Sequence, residues 1–415
     1  MIVRKGVVCM AAAMLAIGSY ARAQDTSPQP VSPTVEQPLT QALDMMGAKS
    51  MPIQVQGYIE AGYMYDPNSP RIAEGPTYSF FDYLKNRLFL DQADLTIFRE
   101  PKPSGKDFDW GFTLEGGFGS DYSFFHSNGM MDNRAIPPFG GPQDQADIDQ
   151  AYLSFNIPVL NGVIVNAGKF GDTLGYEHIN PWRNALYSHS NQFDHIPATF
   201  TGVNANVALN SQWKAMAGIT RGWNQSLKDT NGDPDFIAQV RYTPTKSLSF
   251  AGGLTEGPEA PRGVGPAVEG LKADDSDWWT LLDLYGNYTM SDQLSFGAGI
   301  DYGDAPHAIN KPGNHAGQWY GIAGYAGYNL IKNTLTANAR LEWYDDTNGF
   351  TLGTGAHASI YSATLGVTYI PFANDKVFKW LEIRPEIRYD YATKPIFDTG
   401  EHGQLNLASD LIMQF

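Results

Sequence analysis

The sequence of 415 residues predicts an all-β protein: a transmembrane antiparallel β-barrel of about sixteen strands, with short periplasmic turns and long extracellular loops. From residue 53 to Phe415, segments of about ten residues alternate apolar with polar or small side chains, which is the period of a strand with two unlike faces. Connections between these segments are alternately short and long, and the last segment ends on an aromatic residue. Past the N-terminal segment no apolar run reaches eighteen residues, so a spanning helix is excluded and only a closed barrel could cross a membrane.

The composition supports this fold class and excludes one class of partner. Charged residues make up 17% of the chain, below the roughly 25% of ordinary soluble proteins, whereas glycine and aromatic residues are frequent. Lys and Arg number 28 against 44 Asp and Glu, which gives a net charge of −16. Because nucleic acids are bound through basic patches that neutralise phosphates, we expect no nucleic-acid partner.

The first 23 residues have the pattern of a secretory signal peptide. Arg4 and Lys5 precede an apolar stretch over residues 7–17, and the small-residue sequence at 21–23 predicts cleavage before Gln24. Cleavage there removes Cys9, the single cysteine of the chain. Thiol catalysis, cysteine-based metal sites and disulfides are therefore excluded from the mature protein.

Two further segments follow the signal peptide. Residues 24–52 form a predicted flexible periplasmic linker, because their first part is rich in Pro, Ser, Thr and Gln and has almost no aliphatic content to bury. Residues 53–415 form the predicted outer-membrane barrel.

The segment 381–391 shows the strand pattern clearly. Its apolar positions Leu381, Ile383, Ile387, Tyr389 and Tyr391 alternate with Glu382, Arg384, Glu386, Arg388 and Asp390. Pro385 lies inside this segment and removes a ladder hydrogen bond, so a bulge is predicted at that point. The charge-bearing face recurs in many segments, which favours a wet interior.

Seven short turns and eight long loops join about sixteen predicted strands. Because this number is even, both ends of the barrel segment lie on the short-turn side. The short connections are residues 100–107, 158–162, 210–212, 244–246, 289–292, 331–333 and 371–376. The long connections are residues 66–87, 119–147, 171–197, 224–234, 256–276, 303–316, 345–356 and 392–403.

Three short motifs in the middle of the chain resemble a known family. The sequence AGKFGDTLGYE at 167–177, YSHS at 187–190 and FTGV at 200–203 are similar to the putative beta-barrel porin type two family of bacterial outer-membrane proteins. The resemblance covers the barrel from about residue 53 to Phe415, although the distinctive motifs occupy only a small part of it. It implies an outer-membrane barrel and a channel, and it supplies neither a solute nor catalytic residues.

A barrel of about sixteen strands is too wide for its own side chains to fill, so the interior is expected to hold water. With the polar face turned inward, acids outnumber bases, which predicts a weak preference for cations. The alternative is a solvated wall whose charges pair with each other. The predicted pore-lining residues are Glu60, Asp94, Glu115, Asp283, Asp301, Glu342, Glu382, Glu386 and Asp390, together with Lys214, Arg241, Arg340, Arg384 and Arg388.

The long connection at 171–197 is a candidate for an inward-folded constriction loop, by its length and by analogy with general porins; the connection at 119–147 is the competing candidate. The aromatic residues of the first loop could stack on sugars, although packing against the wall is the expected role. Its charged and titratable candidates are Asp172, Glu177, Arg183, Asp194 and His195.

Metal and catalytic sites are weighed against simpler interpretations. The sequence DTNGDPD at 229–235 spaces oxygen ligands as a calcium loop does but departs from the EF-hand pattern, which favours a polar outer turn. Ser188, His189, Asp194 and His195 supply the groups of a catalytic triad, yet a triad is defined by geometry. No metal, cofactor or enzymatic activity is therefore predicted.

The expected function is a passive, water-filled porin of the outer membrane for small hydrophilic solutes, surrounded by outer-membrane lipid. The alternative is a barrel that acts as a surface binding or adhesion protein through its long loops, with its lumen plugged. Occupancy of the lumen distinguishes the two. A homotrimer is expected only by analogy with other sixteen-stranded porins.

Overall fold

The computed structural model describes residues 53–67, 81, 84–132, 145–229, 231–259, 278–309, 315–375, 377–397 and 400–415. The predicted signal peptide, residues 1–23, and the predicted linker, residues 24–52, lie outside the described residues. Sixteen β-strands account for most of the described chain. They are β1 (Gln54–Tyr65), β2 (Leu88–Arg99), β3 (Asp109–Gly119), β4 (Gln145–Ile157), β5 (Val163–Gly171), β6 (Thr199–Ala208), β7 (Trp213–Thr220), β8 (Asp235–Thr245), β9 (Leu248–Pro258), β10 (Trp278–Thr289), β11 (Leu294–Ile309), β12 (His315–Ile331), β13 (Leu335–Asp346), β14 (Ala358–Tyr369), β15 (Leu381–Ala392) and β16 (Gly403–Gln414).

Every strand pairs antiparallel with its neighbours in the sequence, and β1 pairs with β16 to close the barrel. The closing ladder sets Glu60 opposite Ile412, and the backbones of Gly57 and Phe415 exchange two hydrogen bonds of 2.8 Å. Closure leaves no sheet edge with unpaired backbone groups, which is what a membrane-spanning sheet requires. No helix in the described part of the chain has the length and apolar content to cross a membrane.

The two faces of the barrel differ in the way that the alternation predicts. Along β15 the apolar side chains Ile387 and Tyr389 are exposed on the outside, whereas Arg384 and Arg388 are buried on the inside. Aromatic side chains lie towards strand ends on the outer face, as in the stacked pair Trp213 and Tyr242 at 4.1 Å. This arrangement suits an apolar outer band with aromatic borders.

The connections confirm the predicted alternation of short turns and long loops, with one correction. The predicted loop 303–316 is mostly strand, because β11 continues to Ile309 and β12 begins at His315. Asp304 pairs with Gln318 and Ala305 with Gly317, so cross-strand hydrogen bonds extend through residues that have loop-like composition.

The bulge predicted at Pro385 is also wrong. The ladder between β15 and β16 keeps one register, with Arg384 opposite Asp410 and Pro385 opposite Ser409. On the other side, Gly366 pairs with Glu386 and Tyr369 with Ile383 in the same register. The missing N–H of proline therefore interrupts the pairing with β14 without shifting it.

Candidate functional site: the loop inside the barrel

The connection between β5 and β6 enters the barrel; residues 172–198 are called the inward loop below. Its backbone carbonyls at Pro181, Asn184 and Leu186 accept hydrogen bonds of 2.7, 2.9 and 3.0 Å from Arg384 of β15. These partners are about 200 residues apart in the chain, so the contact depends on the closed barrel.

Two more arginines of the wall hold the same loop. Arg340 of β13 donates to the carbonyls of Ser188 and His189 at 2.5 and 2.9 Å, and to the Ser188 hydroxyl at 3.0 Å. Arg388 of β15 donates to the His189 carbonyl at 2.7 Å. The planar fork of guanidinium donors suits this task because one side chain reaches several acceptors.

Two wall glutamates bind loop N–H groups from the same side. Glu342 accepts from the backbone N–H groups of Asn191 and Gln192 at 3.0 and 2.9 Å. Glu386 accepts from the backbone N–H groups of Tyr187 and Ser188 at 2.9 and 3.2 Å. The wall thus satisfies both donors and acceptors of a loop backbone that has no ladder partners of its own.

The buried arginines are compensated by buried carboxylates. Arg384 lies 3.0 Å from Glu60 and also pairs with Asp410, and its side chain is 1% exposed. Arg340 pairs with Glu177 of the inward loop at 2.8 Å. Removal of one partner from such a pair would leave an uncompensated charge in a buried site, which is the costly outcome.

Glu177 is the charged centre of the loop. Burial raises the pKa of this carboxyl, but Arg340, His189 and the Ser190 backbone N–H more than offset it, so the pKa lies below the ordinary value of 4.5. His189 faces Glu177 at 3.4 Å, and its ring stacks on Phe193 with centroids 4.1 Å apart. Burial lowers the pKa of His189.

Glycines of the wall make room for the loop. A Cβ added at Gly62 would collide with the Tyr187 ring, and one added at Gly321 would collide with Gln192. A Cβ added at Gly297 would likewise collide with the Tyr176 ring. The absence of a side chain at these strand positions is therefore what allows close docking of loop and wall.

The competing candidate, the connection at 119–147, also packs inside the barrel in its described part. The Tyr122 hydroxyl lies 2.7 Å from both Asp94 and Asp149, and the ring packs on Phe125 with centroids 4.6 Å apart. Both predicted loops thus occupy the interior, and the cluster of Phe81, Tyr122 and Phe125 contacts the inward loop through Ile179 and Phe193.

Beside the inward loop lies an open cavity of about 1310 Å³. It extends from the short turns near Asp292 and Asn333, along the loop, to Ala198 and Asn224 on the far side. Strands β3 to β8 and β10 to β16 contribute residues to its wall; Glu115, Asn166 and Asn204 are among its polar residues.

The predicted pore-lining residues divide into two sets. Glu115, Arg241 and Glu382 line the open cavity, and Lys214 is exposed on the inner face of β7. The others are buried under the inward loops and serve as anchors or neighbours of anchors, because loop backbone covers the wall where they stand. This second set is Glu60, Asp94, Asp283, Asp301, Arg340, Glu342, Arg384, Glu386, Arg388 and Asp390.

The loop candidates divide as well. Asp172, Glu177, Arg183 and Asp194 line the cavity. His195 does not: it hydrogen-bonds the Asn191 carbonyl at 2.7 Å and stacks on Tyr344 with ring centroids 4.7 Å apart.

Sequence reasoning missed several residues that hold the loop. Asp410, the partner of Arg384, and Asn191 and Gln192, which bind Glu342, were not among the candidates. A usable signal was present in the inward-facing glycines Gly62 and Gly321, since glycine within a strand marks close approach of another segment.

A second packed region lies at the long-loop end of the barrel. Trp223 contacts Trp279 and Trp319 edge-on, with centroids 6.1 and 6.4 Å apart, and Phe350 packs on both of the latter rings. Leu352, Ile396 and Phe397 belong to the same cluster. Long loops therefore fill part of the interior above the inward loop.

The catalytic and calcium interpretations gain no support from these contacts. The Ser188 hydroxyl accepts from Arg340, whereas the His189 ring faces Glu177. Asp229 accepts from the backbone N–H groups of Asn231 and Gly232 at 3.0 and 2.7 Å, the geometry of a polar turn. Within the described residues, no group of three or more His, Cys, Asp or Glu side chains is placed to hold a metal ion.

A closed barrel of sixteen strands, with a long connection folded into its interior beside an open cavity, defines a porin-like protein. The chain belongs to the family described as putative beta-barrel porin-2, OmpL-like, whose model matches residues 52–415. A comparison with curated proteins gives no match.

Solved structures share the fold at low sequence identity. OmpT of Vibrio cholerae, in its trimer form, is 13% identical with a TM-score of 0.52 and covers 88% of this chain and 99% of its own. The outer membrane channel DcaP of Acinetobacter baumannii is 13% identical with a TM-score of 0.53, covering 88% and 97%. OmpF of Salmonella typhi, in complex with daunomycin, is 9% identical with a TM-score of 0.55, covering 88% and 97%.

Proposed function

We propose that the protein is a non-enzymatic outer-membrane porin, a water-filled channel for passive diffusion of small hydrophilic solutes. The observation that carries this proposal is the cavity of about 1310 Å³ that runs along the inward loop from the short turns to Asn224. The inward loop, residues 172–198, sets the narrowest section. The short turns lie in the periplasm and the long loops face the exterior.

The channel has a weak preference for cations. The described acids of the cavity lining are Glu115, Asp149, Asp172, Glu177, Asp194, Asp292 and Glu382, and the bases are Arg183, Arg241 and Lys379. Arg340 neutralises Glu177, and burial raises the pKa of Asp172 to about 8, yet the other five acids still outnumber the three bases. A narrow wet path between low-dielectric walls concentrates the field of such charges.

Single-channel current across a salt gradient in a planar bilayer tests the proposal, with protein refolded from Gln24 onward. Stepwise conductance with a cation-side reversal potential is the expected result. Glu115→Gln, which removes a cavity charge, should move that potential towards zero, whereas Glu100→Gln, at an exposed turn position, should leave it unchanged. A reversal potential on the anion side would contradict the proposed cation preference but would still support the proposed channel.

A second candidate function is supported by the aromatic cluster around Trp223 and Trp319, which fills part of the interior at the long-loop end. A lumen sealed there would suit a surface-binding barrel that works through its long loops. Absence of conductance from folded, inserted protein would favour this function over the porin.

A homotrimer is proposed by analogy with the trimer form of the structurally similar OmpT. Chemical cross-linking of the refolded protein in detergent, followed by gel electrophoresis, should give a species of three chains. A single-chain product at all cross-linker concentrations would contradict the trimer without bearing on the channel.

A further inference from the structure

Two arginines face the cavity from different elements. Arg183 lies at the end of the short 3-10 turn Pro181–Arg183 of the inward loop, and Arg241 lies on the inner face of β8. Both line the same cavity. One comes from the loop and the other from the wall, so they flank the open path.

Unlike the anchoring arginines, these two form no ion pair with a carboxylate in the described part of the chain. Arg340 and Arg384 each form an ion pair with a buried acid, whereas neither Arg183 nor Arg241 forms one with any described residue. Their positive charges are thus available to the cavity.

Most of their N–H donors are free of protein acceptors within the described chain. Arg241 donates from Nε to Gln239 at 2.7 Å and from Nη2 to the Tyr285 hydroxyl at 3.0 Å, which fixes the plane of its guanidinium. A guanidinium has five N–H donors, so Arg241 retains three. The Nε of Arg183 is buried without a hydrogen-bond partner, and its guanidinium lies over the Trp182 ring at 5.9 Å.

The neighbouring loop residues are consistent with a positive local potential. Burial, together with the charges of Arg183 and Arg241, lowers the pKa of His178 to about 3. Burial also raises the pKa of Asp172 to about 8, so this carboxyl is largely neutral at pH 7. The negative charge of Glu115 opposes this positive potential at Arg183, but Glu115 already accepts hydrogen bonds from Asn180 and Gln150.

We propose that Arg183 and Arg241 together bind the carboxylate of small organic monoanions as they pass through the cavity. This inference rests on the proposed channel function and names a class of solute for it. Guanidinium forks match the two oxygens of a carboxylate, and Arg241 is preoriented by its two protein contacts.

The size and charge of the cavity define the ligand further. At about 1310 Å³ it is larger than a typical small-molecule pocket, so the carboxylate end is held while the rest of the solute stays in water. Such a site retards a solute without trapping it. The acid-rich lining tolerates a single negative charge better than the higher charge of a phosphate group.

Current block by gluconate tests the site, with sorbitol as an uncharged polyol of the same carbon number. We expect gluconate to reduce the open-channel current in a saturable manner, and sorbitol at equal concentration to have no saturable effect. The double variant Arg183→Gln/Arg241→Gln should raise the half-blocking concentration at least about tenfold, since each guanidinium supplies charge-assisted hydrogen bonds.

Two variants sharpen the result. Arg241→Lys keeps the charge but loses the fork, so its half-blocking concentration should lie between those of the wild type and the double variant. Lys106→Gln removes a positive charge from an exposed position in the turn between β2 and β3, outside the cavity, and should leave the block unchanged. The heat-dependent gel shift of folded barrels verifies that each variant has folded.

An unchanged half-blocking concentration in the double variant would overturn the proposal, as would equal block by sorbitol. Block by inorganic phosphate at a lower concentration than gluconate would overturn the monocarboxylate assignment. If the protein does not conduct, the proposed function fails, and calorimetric titration of gluconate into the refolded barrel then measures the site itself. Absence of binding, or equal binding by the double variant, would contradict the arginine site.

Discussion

Substitution Arg384→Met should destabilise the barrel and release the inward loop. Arg384 is 1% exposed and contacts Glu60, Asp410 and three loop carbonyls. Methionine has a similar length but can donate no hydrogen bond. The change therefore leaves two buried carboxylates without their cation and the loop without its central attachment.

The magnitude follows from these contacts. Glu60 and Asp410 are each 2% exposed, and loss of one partner from a buried ion pair costs about 3–5 kcal/mol. The hydrogen bonds to the carbonyls of Pro181, Asn184 and Leu186 add a net contribution of roughly 1 kcal/mol each, which is specific to loop docking. Together these terms give an expected loss of roughly 6–8 kcal/mol in the free energy of unfolding. We also expect a higher, noisier single-channel conductance.

Guanidinium unfolding followed by tryptophan fluorescence, together with single-channel recording, measures the two effects. Arg99→Met is the matched control, because Arg99 pairs with Asp109 at 2.8 Å while both side chains are more than one-fifth exposed. That pair should contribute about 1 kcal/mol or less. Equal destabilisation by the two substitutions, or an unchanged conductance in Arg384→Met, would refute the reasoning.

Three further predictions concern the loop and the outer face. Gly62→Ala should dislodge Tyr187, because the added Cβ collides with its ring, and lower the guanidinium midpoint of unfolding. Since the pKa of Glu177 is lowered in the fold, its pairing with Arg340 should stabilise the protein above about pH 4.5, and this stabilisation should be lost as the pH falls further. Unfolding curves measured between pH 6 and 2.5 should show this dependence, and the variant Glu177→Gln should weaken it. Leu365→Arg, at a 62% exposed outer position, should lower the free energy of unfolding in lipid vesicles by about 2–4 kcal/mol.

Each of these three predictions has a control or a result that would contradict it. Gly324→Ala places a Cβ where nothing lies within 4 Å, so a loss equal to that of Gly62→Ala would argue against close docking. Unfolding curves that are the same for Glu177→Gln and the wild type at every pH would contradict the predicted contribution of Glu177 to stability. Leu365→Ala should cost much less than Leu365→Arg, and equal costs would contradict the lipid-facing assignment.

The barrel itself was predictable because its signals are local. A strand with one face in lipid and one towards water must alternate with a period of two, and β15 shows this in adjacent residues such as Ile387 and Arg388. Turn positions followed from the same pattern. The exception, the extension of β11 and β12 to Ile309 and His315, arose because partner strands impose pairing on residues whose composition resembles a loop.

The position of the charged side chains could be predicted only in part. Sequence alternation indicates which side chains point inward, but it does not indicate which of them remain in water. Arg384 and Arg241 both lie on the inner face, yet the first is covered by the inward loop and the second lines the cavity. The difference depends on the path of a loop distant in sequence.

The sequence by itself determined a sixteen-stranded barrel with alternating connections and a charged interior, since hydrophobic period and turn composition act between neighbouring residues. The tertiary structure decided which charges hold the inward loop and which border the open path. Glu177 and Arg340 are 163 residues apart, and Tyr187 and Glu386 are 199 apart. Such pairs form only when closure of the barrel brings distant strands around the loop, because their energy depends on burial and distance in space.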